Sequence, residues 1–229
     1  MLRDNVFEIR ERIASLSSGT VQNPYAVTII AVSKGRTTEE IKEAVEAGIK
    51  DIGENKVQEA IVKYNDMQCA ASNKQIKWHM VGHLQTNKAK EAVKIFDLIQ
   101  SIDSLHLAVE IDKQAARINK IQDALIEAKT SDEATKFGLK PEETIEVIKE
   151  MSKLKNINIK GLMTIASAVI NPEDARPYFR KLRELKDKIN VMKVTQQELQ
   201  ILSMGMSDDF AVAIEEGANM IRLGRAIFE

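Results

Sequence analysis

Short apolar, β-branched runs alternate with amphipathic stretches along almost the whole chain. Residues 1–18 place Val6, Ile9, Ile13 and Leu16 at spacings of three and four, the period of a helix with one buried face, ended near Ser17-Ser18-Gly19. The run that follows, 27–33, is too short for a helix and apolar throughout, which reads as a strand buried on both faces. It ends abruptly on Lys34. Thr37-Thr38-Glu39-Glu40 then opens a helix that Gly48 closes.

The pattern repeats. Asp51-Ile52-Gly53 is a very short strand before a helix at 56–69. Strand 76–81 leads through Gly82-His83 to a helix at 87–94. Strand 96–102 precedes helix 104–120. Strand 123–128 and a polar loop precede a helix with Pro141 in its first turn. Strand 157–166 precedes helix 172–188, and a polar loop at 190–198 leads to strand 199–204. Helix 208–216 and strand 220–223 complete the series. Eight strands separated by helices predict an α/β fold with a parallel sheet closed as a (β/α)8 TIM-type barrel. The extra N-terminal helix is expected to complete its outer ring. An open, doubly wound sheet would want a glycine-rich turn after the first strand, and Lys34-Gly35-Arg36 is not one. No linker, repeat or low-complexity segment divides the chain, so residues 1–229 are expected to form a single domain.

Composition narrows the setting. A net charge of −1 over 229 residues offers no global field for nucleic acid or an acidic membrane. Cys69 is the only cysteine, which excludes an intrachain disulfide and fits a cytoplasmic protein. It reads as a packing residue at a helix end, not a nucleophile. The charged N-terminus lacks the apolar core of a signal peptide, and no apolar run reaches membrane-spanning length.

Barrels build their sites at the C-terminal ends of the strands. Here those ends carry Lys34, then Glu54-Asn55, Gly82-His83, Ser101 and Asp103. Thr164, Ala166 and Ser167 follow on the sixth strand, the run from Ser203 through Met206 to Ser207 on the seventh, and Arg222-Leu223-Gly224-Arg225 on the eighth. Lys34 is either a solvated strand end or a partly desolvated amine. Ser207, where a glycine turn gives way to a helix, is either that helix's cap or part of an anion site. Gly224 after the next strand lets backbone approach a ligand, and barrels frequently hold phosphate after strands seven and eight. Arg222 alternates with Ile221 and Leu223 and so points into the barrel, toward a ligand acceptor or a buried carboxylate. An amine beside a phosphate cradle suits a ligand with both an aldehyde and a phosphate. Pyridoxal 5'-phosphate (PLP) is the first candidate and a sugar phosphate in a Schiff-base aldolase the second.

The segments AVSKGRTTEEIKEAVEAG, DIGENKVQEA, WHMVGHLQTNK, IKGLMTIA and LSMGMSDDFAVAIEEGANMIRLGRAIF occur in order from Ala31 to the C-terminus. This series resembles the pyridoxal phosphate homeostasis proteins of the YggS/PROSC type, a family related to the N-terminal barrel of alanine racemase. The resemblance implies that Lys34 forms an imine with PLP and that Asn55 lies beside the cofactor. It implies that His83, Met163 and Thr164 line the mouth, and that Ser207, Gly224 and Arg225, with Ser203 and Met206 of the same motifs, hold the phosphate side. Arg222 matches the arginine facing the pyridine nitrogen. Two departures stand out. The family's Gln-Val-Asn strand is here Ala124-Leu125-Ile126-Glu127-Ala128, although Lys136 keeps the place of the loop lysine, as a solvated charge or a second PLP site. The chain also ends at Glu229, where the family often continues for a few residues.

An arginine at the ring nitrogen weakens the cofactor's electron sink. Related racemases compensate with a tyrosine base from a second domain. The three tyrosines here, Tyr25, Tyr64 and Tyr178, stand at no strand's C-terminal end. The expectation is therefore a protein that holds and exchanges PLP without substantial amino-acid turnover, a weak amino-acid racemase being the alternative. PLP-dependent apoenzymes are the expected recipients, and a monomer the expected state.

Overall fold

The computed structural model describes residues 1–16, 27–69, 76–131, 133 and 136–229. Tyr25, the first helix's Ser-Gly end and the side chain of Cys69 lie outside that description. Eight strands close a parallel barrel in sequential order: β1 (Thr28–Val32), β2 (Asp51–Glu54), β3 (Lys77–Met80), β4 (Leu98–Ile102), β5 (Gln122–Glu127), β6 (Ile157–Met163), β7 (Ile201–Ser203) and β8 (Met220–Leu223). Closure comes from β1 pairing with β8, Ile30 opposite Arg222.

Helices α1 (Leu2–Leu16), α2 (Thr38–Glu46), α3 (Val57–Cys69), α4 (Ala89–Ile95), α5 (Leu105–Ala116), α6 (Pro141–Met151), α7 (Arg176–Val191) and α8 (Phe210–Glu215) surround it. The predicted α2 start is a full capping box: Thr37 accepts the Glu40 N–H while Glu40 accepts that of Thr37. The N-terminal helix does complete the ring, packing on α2 and α8. It also packs on a short α9 (Arg225–Phe228) that the sequence reading omitted, where Asn5 donates to the Ile227 carbonyl at 3.1 Å. Helix α7 runs three residues past its predicted end, into the start of the predicted loop.

Period-two alternation divides the core. Ile29, Ala31, Ile221 and Leu223 face the helices in the large outer layer. Ile30, Leu98, Leu125, Met163 and Met220 fill the lumen. Buried with them are polar residues: His79, Gln100, Glu127, Ser203 and Arg222. A lumen that spends so many positions on polar side chains must satisfy each of them.

Candidate functional site

The C-terminal mouth holds a cavity of about 490 Å³. It gathers seven of the residues picked from sequence: Lys34, Asn55, Met206, Ser207, Arg222, Gly224 and Arg225.

Lys34 is exposed and, among the described residues, makes no hydrogen bond or ion pair. The strand end that carries it is anchored from below. Buried Glu54 accepts the Ser33 hydroxyl at 2.6 Å and the Lys63 ammonium at 2.5 Å, and Lys63 also donates to the Ser33 carbonyl at 2.6 Å. The second Glu54 oxygen accepts the Asn55 N–H at 3.3 Å. One buried ion pair therefore fixes the exits of both β1 and β2, so that Lys34 and Asn55 leave a rigid base.

Arg222 stands at the floor, 4% exposed. Its Nη1 donates to Ser203 Oγ and its Nη2 to the Thr164 carbonyl, both at 2.7 Å. Burial lowers its pKa to about 10, against the pull of Glu127 and Asp209, so it stays a cation at neutral pH. Of the two readings of Arg222 as a sequence feature, neither stands alone: it reaches the cavity and also has carboxylates near it.

Ser207 does not cap α8. Its hydroxyl oxygen accepts the Ala226 N–H of α9 at 3.2 Å, tying the seventh and eighth strand exits together. The turn before it depends on Gly205, whose φ is +92° and where a Cβ would stand 2.6 Å from that of Ala213. The Met206 N–H goes to Asp209 Oδ1 at 2.6 Å. Gly224 differs from Gly205. A Cβ there would meet nothing nearer than the Val32 carbonyl at 3.6 Å, so internal packing does not demand glycine. The guanidinium of Arg225 pairs with Asp208 at 2.5 Å.

The remaining predicted residues lie around this cavity, not in it. His83 is on the rim, 3.1 Å from Asp103 and stacked on Phe137 with centroids 3.7 Å apart. Thr164 borders an adjoining hollow of about 150 Å³, its hydroxyl donating to the Ala128 carbonyl at 2.8 Å. Ser203 and Met163 are fully buried beneath the floor.

Lys136 is not a solvated loop charge. Its side chain is mostly buried against that hollow, with Nζ 3.1 Å from Glu133. Lining the same hollow is a residue the motif series leaves without a role, Glu127. This carboxyl is 5% exposed, and burial and the nearby Asp103 push its pKa up to about 7, with Arg222 opposing. Alternation with Ile126, which puts it on the same face as Leu125, was the available signal that it points inward. Tyr64 packs edge-on against Trp78 and Tyr178 lies on α7, so neither described tyrosine reaches the mouth.

Residues 5–229 match the family described as alanine racemase, N-terminal domain, and that defines the class of this barrel. Within the class, the chain belongs to the pyridoxal phosphate homeostasis protein family. It is 41% identical over 225 residues to the pyridoxal phosphate homeostasis protein of Aquifex aeolicus, which covers 98% of this chain and 96% of the relative. The structure of PipY from Synechococcus elongatus with PLP bound is 36% identical. It superposes with a TM-score of 0.84, covering 96% of this chain and all of PipY. Alanine racemase of Clostridium difficile is similar in fold, with a TM-score of 0.74 at 18% identity, and this chain spans 56% of its length.

Proposed function

We propose that this protein holds PLP reversibly through Lys34 and exchanges it, serving intracellular PLP homeostasis without substantial amino-acid turnover. The observation that carries this reading is an uncommitted lysine amine facing a clamped, donor-only arginine across one cavity. When bound, PLP supplies an aldehyde that condenses reversibly with a primary amine and releases water. The residues present fit the group. Gly224 lacks a side chain that internal packing would tolerate, which leaves room on the cavity side. Ser207, Gly224 and Arg225 line that room, and a hydroxyl and a guanidinium suit a phosphate, the Arg225 guanidinium being held by Asp208.

Arg222 has donors only, and its charge at neutral pH disfavours a proton on a ring nitrogen placed against it. Asn55 and the base formed by Glu54 and Lys63 hold the lysine-bearing strand end in place. His83 with Phe137 borders the rim. Among the described residues no tyrosine stands opposite Lys34 to act as a second base. The proposed recipients are PLP-dependent apoenzymes, and the proposed working state is a cytoplasmic monomer.

The test is borohydride reduction of protein incubated with PLP, followed by peptide mass analysis. A reduced adduct on Lys34 that is lost in Lys34→Ala supports the reading; no adduct sinks it. Incubation with single L-amino acids in deuterated water separates carrier from enzyme. Rapid α-proton exchange with turnover would favour the racemase alternative.

A further inference from the structure

Below the mouth, a line of hydrogen bonds crosses the barrel lumen through five strands. Arg222 Nη1 lies 2.7 Å from Ser203 Oγ, and Ser203 Oγ lies 2.6 Å from Gln100 Oε1. Gln100 Nε2 lies 3.1 Å from His79 Nδ1, and His79 Nε2 lies 2.9 Å from Asp51 Oδ1. Gln100 and Ser203 are fully buried and His79 is 2% exposed, while Asp51 opens onto a cavity at the opposite end of the barrel.

The direction of every bond follows from its first member. A guanidinium only donates, so Ser203 accepts from Arg222. The single hydroxyl proton of Ser203 is then free for Gln100, which must present its carbonyl. The Gln100 amide nitrogen therefore faces His79, where it donates to Nδ1 and also approaches the Met220 sulfur at 3.3 Å. His79 Nδ1 must be bare, its proton sits on Nε2, and Asp51 accepts it. Reversing Gln100 would place two donors, the Arg222 guanidinium and the Gln100 amide, on Ser203 Oγ and leave the hydroxyl's own proton without an acceptor.

We propose that Gln100 and His79 are positioning residues for Arg222. With Ser203 and Asp51 they form a one-way hydrogen-bond chain that fixes the guanidinium beneath the mouth and holds His79 as its neutral Nε2–H tautomer. Neither residue touches the cavity that contains Lys34. Both act through Ser203, and only the cofactor part of the test rests on the function proposed above.

The decisive measurement is nitrogen NMR of the unloaded protein labelled at histidine and arginine. In the wild type the Arg222 Nη protons are expected as separate, slowly exchanging signals, with His79 Nδ1 unprotonated. Gln100→Leu, checked for folding by circular dichroism, is expected to merge the Arg222 signals. It is also expected to weaken PLP binding by about tenfold, the scale of one lost buried bond to a charged network. Gln100→Glu conserves shape but has no N–H to give, so it is expected to draw a second proton onto His79 and show both ring nitrogens protonated. That signature does not arise from loosened packing, and it decides the matter alone if Gln100→Leu does not fold. Unchanged Arg222 signals in folded Gln100→Leu, or a neutral His79 in Gln100→Glu, would overturn the proposal. Failure of the wild type to take up PLP would instead overturn the proposed function, while the unloaded spectra would still decide the chain.

Discussion

The barrel has a cavity at each end, and the larger one is at the base. There, about 800 Å³ is bordered by Asp51, His79, Asp97, Lys120, Asp123 and Lys160 among others. Most of this charge is already engaged. Asp51 holds His79, Asp97 accepts the Trp78 N–H at 2.8 Å, and Asp123 accepts from Asn158 at 2.8 Å. Lys120 donates to the carbonyls of Val93 and Phe96, at 2.8 and 2.7 Å. The mouth is smaller, about 490 Å³, yet its uncommitted amine shares the cavity with the buried Arg222, and the hollow of about 150 Å³ beside it is lined by Glu127, a buried carboxyl pushed up to about 7. Volume marks where a barrel is open; uncommitted chemistry marks where it can act.

The comparison breaks first if the mouth is not the rigidly built end. Removing Lys63 leaves Glu54 buried without its cation, the costly way to break a buried pair. Lys63→Met is therefore expected to lose about 3–5 kcal/mol in urea unfolding. A loss no larger than that of an exposed lysine would show that the β1 and β2 exits are not held by this pair. Next is the phosphate side. Gly205→Ala puts a Cβ into a left-handed residue and against Ala213. It is expected to cost about 2–4 kcal/mol, strain and overpacking together, and to lower PLP uptake as the Ser207 turn shifts.

Glu127 sharpens the contrast further. Its carboxyl titrates at about 7 in the fold against an ordinary 4.5. The unfolded chain therefore gives up this proton at lower pH than the folded one does. Its contribution to stability is full below 4.5 and is lost as pH rises to 7. Glu127→Gln is expected to flatten that part of the stability profile and to be more stable than wild type at about pH 8, by about 1–3 kcal/mol. An unchanged slope would remove the strained carboxyl from the description of the mouth.

How far the sequence carries depends on whether a feature is periodic or set by register. The strands and their order are legible because burial on both faces writes short apolar runs, and Arg222 is legible as inward from alternation within β8 alone. The motif series points to Lys34, Asn55 and Ser207. What Ser207 bonds to is not legible: a serine before a helix looks like its cap, and only the meeting of two loops turns it to Ala226. The four residues of α9 are too few to show a period. Lys136 reads as solvated because its loop is polar, but the loop folds that lysine into the hollow that Glu127 and Thr164 also line. The partners that line up from Arg222 to Asp51 come from five strands, and no single segment records their stagger.

The smallest expected effect is at the base, and it tests the other half of the comparison. Lys160 borders the larger cavity, 37% exposed and 3.9 Å from Asp123, which Asn158 already engages at shorter range. At that exposure a pair is screened by water and contributes little. Lys160→Ala is expected to change stability by less than about 0.5 kcal/mol and to leave the yield of borohydride-reduced Lys34 adduct unchanged. Asp51→Ala, also at the base, differs because it removes the acceptor that ends the lumen chain. It is expected to release the His79 tautomer and to weaken PLP uptake modestly, by less than Gln100→Leu does. If Lys160→Ala impairs PLP uptake as much as Asp51→Ala, the base is itself a ligand site and the contrast between the two ends fails. If only Asp51→Ala does so, the base influences the mouth through the buried chain and not through its own cavity.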